Sequence, residues 1–148
     1  MAQLEATDDA IEAFNSLRRA GGGAFVTLVL GESITLGETH LPGPDGQTMA
    51  YEEFVNSLRD DTPRFIFYNF AFETTTGGSR LKVLLIKWVP GRTTRVDKMR
   101  YSMWSSSVKA AFKGAHCTVQ ANGVDDLDYL TVLERAAKFE RDPVVGLA

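Results

Sequence analysis

Apolar residues recur along this chain in two rhythms, and the places where the rhythm changes mark out its elements. From Asp9 the spacing is helical. Ile11, Phe14 and Leu17 share a face, Arg18-Arg19 sit in the last turn, and Gly21-Gly22-Gly23 ends the run. Asp9-x-x-Glu12 reads as a capping box. Ala24 to Leu30 reads as a strand, Gly31-Glu32-Ser33 as a turn, and Ile34 to Leu36 as the partner strand. His40 to Gln47 carries two prolines and two glycines and reads as an exposed loop. Thr48 is a candidate cap for a short helix through Leu58, with Tyr51, Phe54, Val55 and Leu58 inward, broken at Asp60-Asp61-Thr62-Pro63.

The middle of the chain is more apolar. Arg64 to Glu73 alternates as a strand, with Phe65 and Phe67 on one face and a change of phase near Tyr68-Asn69 before Phe70 and Phe72. Thr74 to Ser79 reads as a hairpin loop. Val83-Leu84-Leu85-Ile86 is apolar on both alternating faces, as a central strand covered on both sides requires, and Pro90-Gly91 stops it. Val96 to Lys113 reads as one long helix with Gly114 as its C′ residue. Ala115 to Ala121 is a further strand, Asn122-Gly123 a turn, and Asp125-Asp126 precede a last helix through about Phe139. Its inner face is Leu127, Leu130, Leu133 and Ala137. The order predicts an α/β (α+β type) fold: one central mixed sheet with helices on both faces.

At 100° per residue the long helix divides into three sides. Tyr101, Trp104, Val108 and Ala111 form a side facing the sheet, and Val96, Met99, Met103 and Ala110 a second packed side. The remaining stripe is Arg95, Lys98, Ser102, Ser105 and Lys109. Two readings of it stand: a solvated face, or a docking surface where small serines admit an acidic partner and the cations steer it.

Length, charge and cysteine narrow the classes. One domain is expected of 148 residues, and the net charge of −3 argues against generic nucleic-acid binding. The single cysteine, Cys117, excludes an internal disulfide and reads as a buried, inert thiol. No apolar run has the length of a membrane span, and the first ten residues lack a signal-peptide pattern, so a cytosolic protein is expected. Catalysis has little support. His40 and His116 are isolated, no Cys/His spacing suits zinc, and the acidic pairs sit where helix starts and breaks explain them. The serines at 105, 106 and 107 lack a G-x-S-x-G setting. Neither the glycine triplet nor the aromatic strand points elsewhere. The triplet follows a helix instead of preceding one, and core packing explains the aromatics better than base stacking does.

Several short strings, in order, resemble the actin-depolymerising factor/cofilin family. They are Trp88-Val-Pro, Asp97-Lys98-Met99-Arg100-Tyr101-Ser102, Val108-Lys-Ala-Ala-Phe-Lys-Gly114 and Val119-Gln120-Ala121. Phe14-Asn15, Arg64-Phe65 through Phe72-Glu73, Ser79-Arg80 with Lys82, and Tyr129 with Val132-Leu133-Glu134-Arg135 extend the likeness from about Asp9 to Lys138. The resemblance implies the actin-depolymerising factor homology fold over residues 9–140; the residues on either side read as a flexible segment 1–8 and a loosely held tail 141–148. It also implies a monomeric, non-enzymatic protein of the actin cytoskeleton, without cofactor or metal, that binds actin monomers and filaments and promotes filament disassembly. Monomer contact is implied for Arg95, Lys98, Met99, Ser102, Ser105 and Lys109. Filament contact is implied for Arg80, Lys82, Glu134, Arg135 and Lys138. The basic patches suit acidic phosphoinositides as further partners. Rival readings are a coactosin-like or glia-maturation-factor-like binder of filaments or branch junctions without severing, and a small α/β ligand-binding or enzymatic domain. The chain departs from the family pattern in lacking an N-terminal regulatory serine. Trp104 stands where small residues are usual, and the chain extends beyond Lys138.

Overall fold

A computed structural model describes residues 4–42, 49–138 and 140–147. The elements are α1 (Asp8–Leu17), β1 (Phe25–Leu30), β2 (Ile34–His40), α2 (Tyr51–Asn56), β3 (Arg64–Glu73), β4 (Ser79–Trp88), α3 (Arg95–Met103), α4 (Ser105–Ala111) and β5 (Cys117–Ala121). A 3₁₀ turn (Val124–Leu127) and α5 (Tyr129–Ala136) complete the chain. The sheet order is β2-β1-β3-β4-β5. All neighbours are antiparallel except β4 and β5, which run parallel and are joined by the α3–α4 crossover. The predicted mixed sheet with helices on both faces is the fold observed.

Strand parity distributes the core. Phe65 and Phe67 of β3, with Val83 and Leu85 of β4, meet Phe14 and Leu17 of α1, Tyr101 of α3 and Val108 of α4. Ile66, Tyr68, Phe70 and Phe72, with Leu84, Ile86 and Trp88, meet Phe54 of α2 and Val132, Leu133 and Ala136 of α5. β3 and β4 stay in unbroken register from Arg64 opposite Trp88 to Glu73 opposite Ser79. The expected change of phase at Tyr68-Asn69 therefore does not occur. Asn69 keeps its place in the alternation and points at α1, where its side-chain amide donates to the carbonyls of Leu17, Ala20 and Gly21 at 2.9, 3.1 and 3.2 Å. A buried asparagine in an apolar strand looks like a phase break in sequence; here it caps a helix C-terminus.

Other boundaries are corrected. β2 runs on to His40, since its backbone pairs with β1 through a register shift between Val26 and Leu28. The capping box does not form. Thr7 is the N-cap residue of α1, and the Asp9 carboxylate accepts from the Ala10 amide at 2.9 Å and from the Thr7 hydroxyl. Ile11 is exposed, and Ala10 and Ala13 join Phe14 and Leu17 on the buried face. In α5, Leu130 is likewise exposed, and Val132 and Ala136 are buried with Leu133 and Ala137. Thr48 and Phe139 lie outside the described residues. Cys117 is half-buried, and burial pushes its thiol up.

Near both ends of the chain, described residues make backbone hydrogen bonds to the sheet and its hairpin. Thr7 donates to Ile34 O at 3.0 Å, and Ile34 donates to Glu5 O at 2.7 Å. Thr75 donates to Pro143 O at 2.8 Å and Val145 to Glu73 O at 3.0 Å, with Val144 buried between them. No helix among the described residues is long and apolar enough to cross a membrane.

Candidate functional site

The first surface is built on α3 and α4. Thr94 caps α3, its side chain accepting from the Asp97 amide. Tyr101 then fixes the helix to the sheet. Its ring stacks on Phe65 with centroids 5.3 Å apart, and its hydroxyl accepts from the Leu30 amide at 3.1 Å. Arg100 donates to Gly31 O at 2.8 Å, so the β1–β2 turn is gripped by two adjacent residues of α3. The helix does not continue to Lys113. It breaks at Trp104, whose backbone (φ −96°, ψ 8°) leaves the α-helical region, and α4 begins at Ser105. Trp104 is half-buried against the α1-side core, as its spacing predicted, whereas Ala111 is exposed. Gly114, at φ 121°, adopts a left-handed conformation after α4.

The break splits the predicted stripe. Arg95, Lys98 and Ser102 lie exposed on α3, and Lys109 lies exposed on α4, with Ser105 half-buried at the junction. The side read as a second packed face is open: Val96, Met99 and Met103 are 67%, 60% and 56% exposed, and Ala110 is exposed too. Spacing groups these three apolar residues on one side and predicts that side packed, whereas it faces solvent. No described element lies over them, so α3 presents an apolar strip beside its cations. Lys87, half-buried on β4, also faces this side. Burial, with Lys109 adding to it, lowers its affinity for the proton.

The second surface lies across the sheet. Arg80 and Lys82 share the parity of Leu84 and Ile86, which places them on the α5 face. Asp128 caps α5, accepting from the Thr131 amide. Glu134, Arg135 and Lys138 are exposed along it, and Arg135 donates to Thr118 O of β5 at 3.3 Å. An open groove of about 700 Å³ runs between β5 and α5, lined among others by Gln120, Asp126, Glu134, Arg135 and Lys138. Arg80 and Lys82 are less open than the sequence suggested. Both are ion-paired to Glu140, at 3.1 and 3.3 Å, and these two cations hold the Glu140 carboxyl below its usual range. Glu140 is the residue of this second surface that sequence reasoning misses. It lies in the extension after Lys138, where no periodic element marked it.

The residues weighed for catalysis have structural roles or none in common. His116 accepts from the Val83 amide through Nδ1 at 2.9 Å, tying the start of β5 to β4. His40 packs on Phe25 at the far end of the sheet. Among the described residues no three His, Cys, Asp or Glu side chains converge in a metal-binding arrangement.

Comparison with known proteins agrees with this architecture. Actophorin of Acanthamoeba castellanii is 29% identical over 139 residues, covering 93% of this chain and 98% of that protein. Cofilin of Yarrowia lipolytica is 26% identical over 132 residues, covering 88% and 84%. The crystal structure of Streptomyces griseoflavus cofilin superposes with a TM-score of 0.78 at 19% identity, over 91% of this chain and 98% of that one. Human coactosin-like protein superposes at 0.72 with 19% identity, over 93% and 91%. Both likenesses show the shared fold. The family described as cofilin/tropomyosin-type actin-binding protein matches residues 3–137, and this chain belongs to that family.

Proposed function

We propose that this protein binds actin monomers and filaments through two separate surfaces and promotes filament disassembly. The observation that carries the reading is the placement of two cationic surfaces on opposite faces of one sheet: Arg95, Lys98, Met99, Ser102, Ser105 and Lys109 on one, and Arg80, Lys82, Glu134, Arg135 and Lys138 on the other. A protein so built can bridge two acidic partner surfaces at once. Val96, Met99 and Met103 supply the desolvated centre that charge alone does not, and methionine adapts to an irregular partner. The action is binding, with no covalent step. A protein that prefers one subunit arrangement shifts the filament toward it in proportion to the difference in affinity, and boundaries with bare filament become weak points. The place of action is the cytoplasmic actin cytoskeleton and the working form a monomer. Exposed Lys98 and Lys109 would also receive acidic phosphoinositide headgroups in competition with actin.

The test pairs two variants. Arg95→Ala with Lys98→Ala should weaken monomer binding by about 1–3 kcal/mol in a titration and leave the circular dichroism unchanged. Arg80→Glu with Lys82→Glu should abolish co-sedimentation with filaments and leave monomer binding intact. Equal loss of both activities in either variant refutes the division into two surfaces. Counting filaments over time separates severing from the coactosin-like alternative, in which filaments are bound and their number stays constant.

A further inference from the structure

The chain beyond Lys138 returns across the β3–β4 hairpin and is fastened there. Thr75 donates to Pro143 O, Val145 donates to Glu73 O, the Thr76 hydroxyl donates to the Asp142 carboxylate at 3.3 Å, and Val144 is 5% exposed. The Glu140 amide donates to Ala137 O at 2.9 Å, which fixes the other end of the crossing. Between these two anchors the Glu140 carboxylate is set on the cations of β4, one oxygen to each. Oε2 accepts from Arg80 Nε at 3.1 Å, and Oε1 stands 3.3 Å from Lys82 Nζ. The Glu140 side chain is 12% exposed in this position.

A carboxylate with a separate cation on each oxygen fills this receptor as a partner's acidic side chain would. Two positive charges face one negative charge, so the receptor keeps an excess of one. Rotation of the Glu140 side chain alone would vacate the receptor, with Val144 and the hairpin bonds left in place. We propose that Glu140 is an internal surrogate for an acidic side chain of the actin filament: it occupies the Arg80–Lys82 receptor in the free protein and must be displaced when the filament binds. The inference rests on the filament reading given above. It adds that the C-terminal extension sets the affinity of that surface and leaves the α3–α4 surface untouched.

Glu140→Gln removes the charge and keeps the shape. Its filament affinity in co-sedimentation at low salt should rise about two- to tenfold, the range expected when partly exposed ion pairs no longer compete. Binding should also fall more steeply with added salt, because the receptor then carries one more uncompensated charge. Monomer affinity should stay at the wild-type value. In an Arg80→Gln background the same change should give a smaller gain, since one arm of the receptor is gone. Filament binding by the wild type with equal or weaker binding by Glu140→Gln overturns the surrogate alone and makes Glu140 a support for Arg80 and Lys82. Absence of filament binding in both proteins removes the filament reading and the surrogate together. An equal gain for monomers and filaments also overturns the proposal, because the effect would not then belong to this receptor. A gain for anionic phosphoinositide vesicles without a gain for filaments overturns it in favour of a lipid-facing site.

Discussion

Asn69 gives the sharpest test of how α1 is held to the sheet. The residue is 1% exposed in the middle of β3. Every acceptor near its side-chain nitrogen is a carbonyl of the α1 C-terminus, so the amide orientation is fixed by chemistry. Asn69→Ala removes these bonds and empties a small volume. The Leu17 carbonyl keeps the Ala20 amide and the Gly21 carbonyl keeps the Ala24 amide, so two of the three acceptors retain a partner. That limits the loss to about 1.5–3 kcal/mol: roughly 1 kcal/mol for each hydrogen bond that mattered, plus the cost of the cavity. For a chain of this size each kcal/mol moves the melting temperature by about 2–4 °C, so a fall of about 3–12 °C is expected in thermal denaturation. Asn69→Asp should be worse at pH 7, by about 3–5 kcal/mol, because a carboxylate would face three carbonyls in a buried site. If the aspartate variant is as stable as the alanine variant, the carbonyl-capping account is wrong.

Two further outcomes follow from the structure. Trp104→Ala should cost about 2–3 kcal/mol, less than the full range for an emptied aromatic site because the indole is half-buried, and actin binding should recover on cooling as native protein returns. An unchanged melting temperature with much weaker monomer binding would make Trp104 an interface anchor instead. Glu38 accepts both arms of Arg64 at 3.2 and 3.3 Å and the Thr27 hydroxyl at 2.7 Å, and the Arg64 hydrogen bonds lead in lowering its pKa from 4.5 to about 2. A depressed carboxyl stabilises the fold above its unfolded value. That stability is lost as the pH falls from about 4.5 to about 2, and it is discounted to about 0.5–1 kcal/mol because the side chain is largely exposed. Urea midpoints of wild type and Glu38→Gln should therefore converge over that window; a constant gap would refute the assignment.

Much of the architecture was legible because periodicity reports burial directly. The doubly apolar run Val83–Ile86 identified a strand covered on both faces, and it lies between β3 and β5. Three of the differences share a cause, that an apolar residue at helical spacing reads as buried. Val96, Met99 and Met103 fall on one helical side, as spacing required, yet nothing in a single sequence says which of two apolar sides meets the sheet. Tyr101 decides it through the Leu30 amide, a partner 71 residues away. Ile11 and Leu130 differ for the same reason: both are exposed, with Ala10 and Ala13 against the sheet in α1 and Val132 and Ala136 in α5. Asn69 goes the opposite way: a polar residue that reads as a disturbance of the core pattern belongs to it, because its amide meets the α1 carbonyls. Helical spacing picks out Arg95, Lys98 and Lys109, and the resemblance adds Arg80, Lys82, Arg135 and Lys138; the structure adds the Glu140 carboxylate set on Arg80 and Lys82.

β4 carries the link between the two surfaces. Its odd-numbered residues Val83 and Leu85 pack beneath α1 and α4, and its even-numbered residues continue from Arg80 and Lys82 into Leu84, Ile86 and Trp88 beneath α5. A core substitution on this strand, such as Leu85→Ala, would disturb one face by leaving a cavity and the other through the shared backbone, so it would not separate the two activities. Charge substitutions act beyond the backbone and each touch one face. This is why Arg80, Lys82 and Glu140 on one side, and Arg95 and Lys98 on the other, are the residues on which a two-surface mechanism stands or falls. Loss of both activities after a β4 core change reports the strand's structural role and carries no information about either interface.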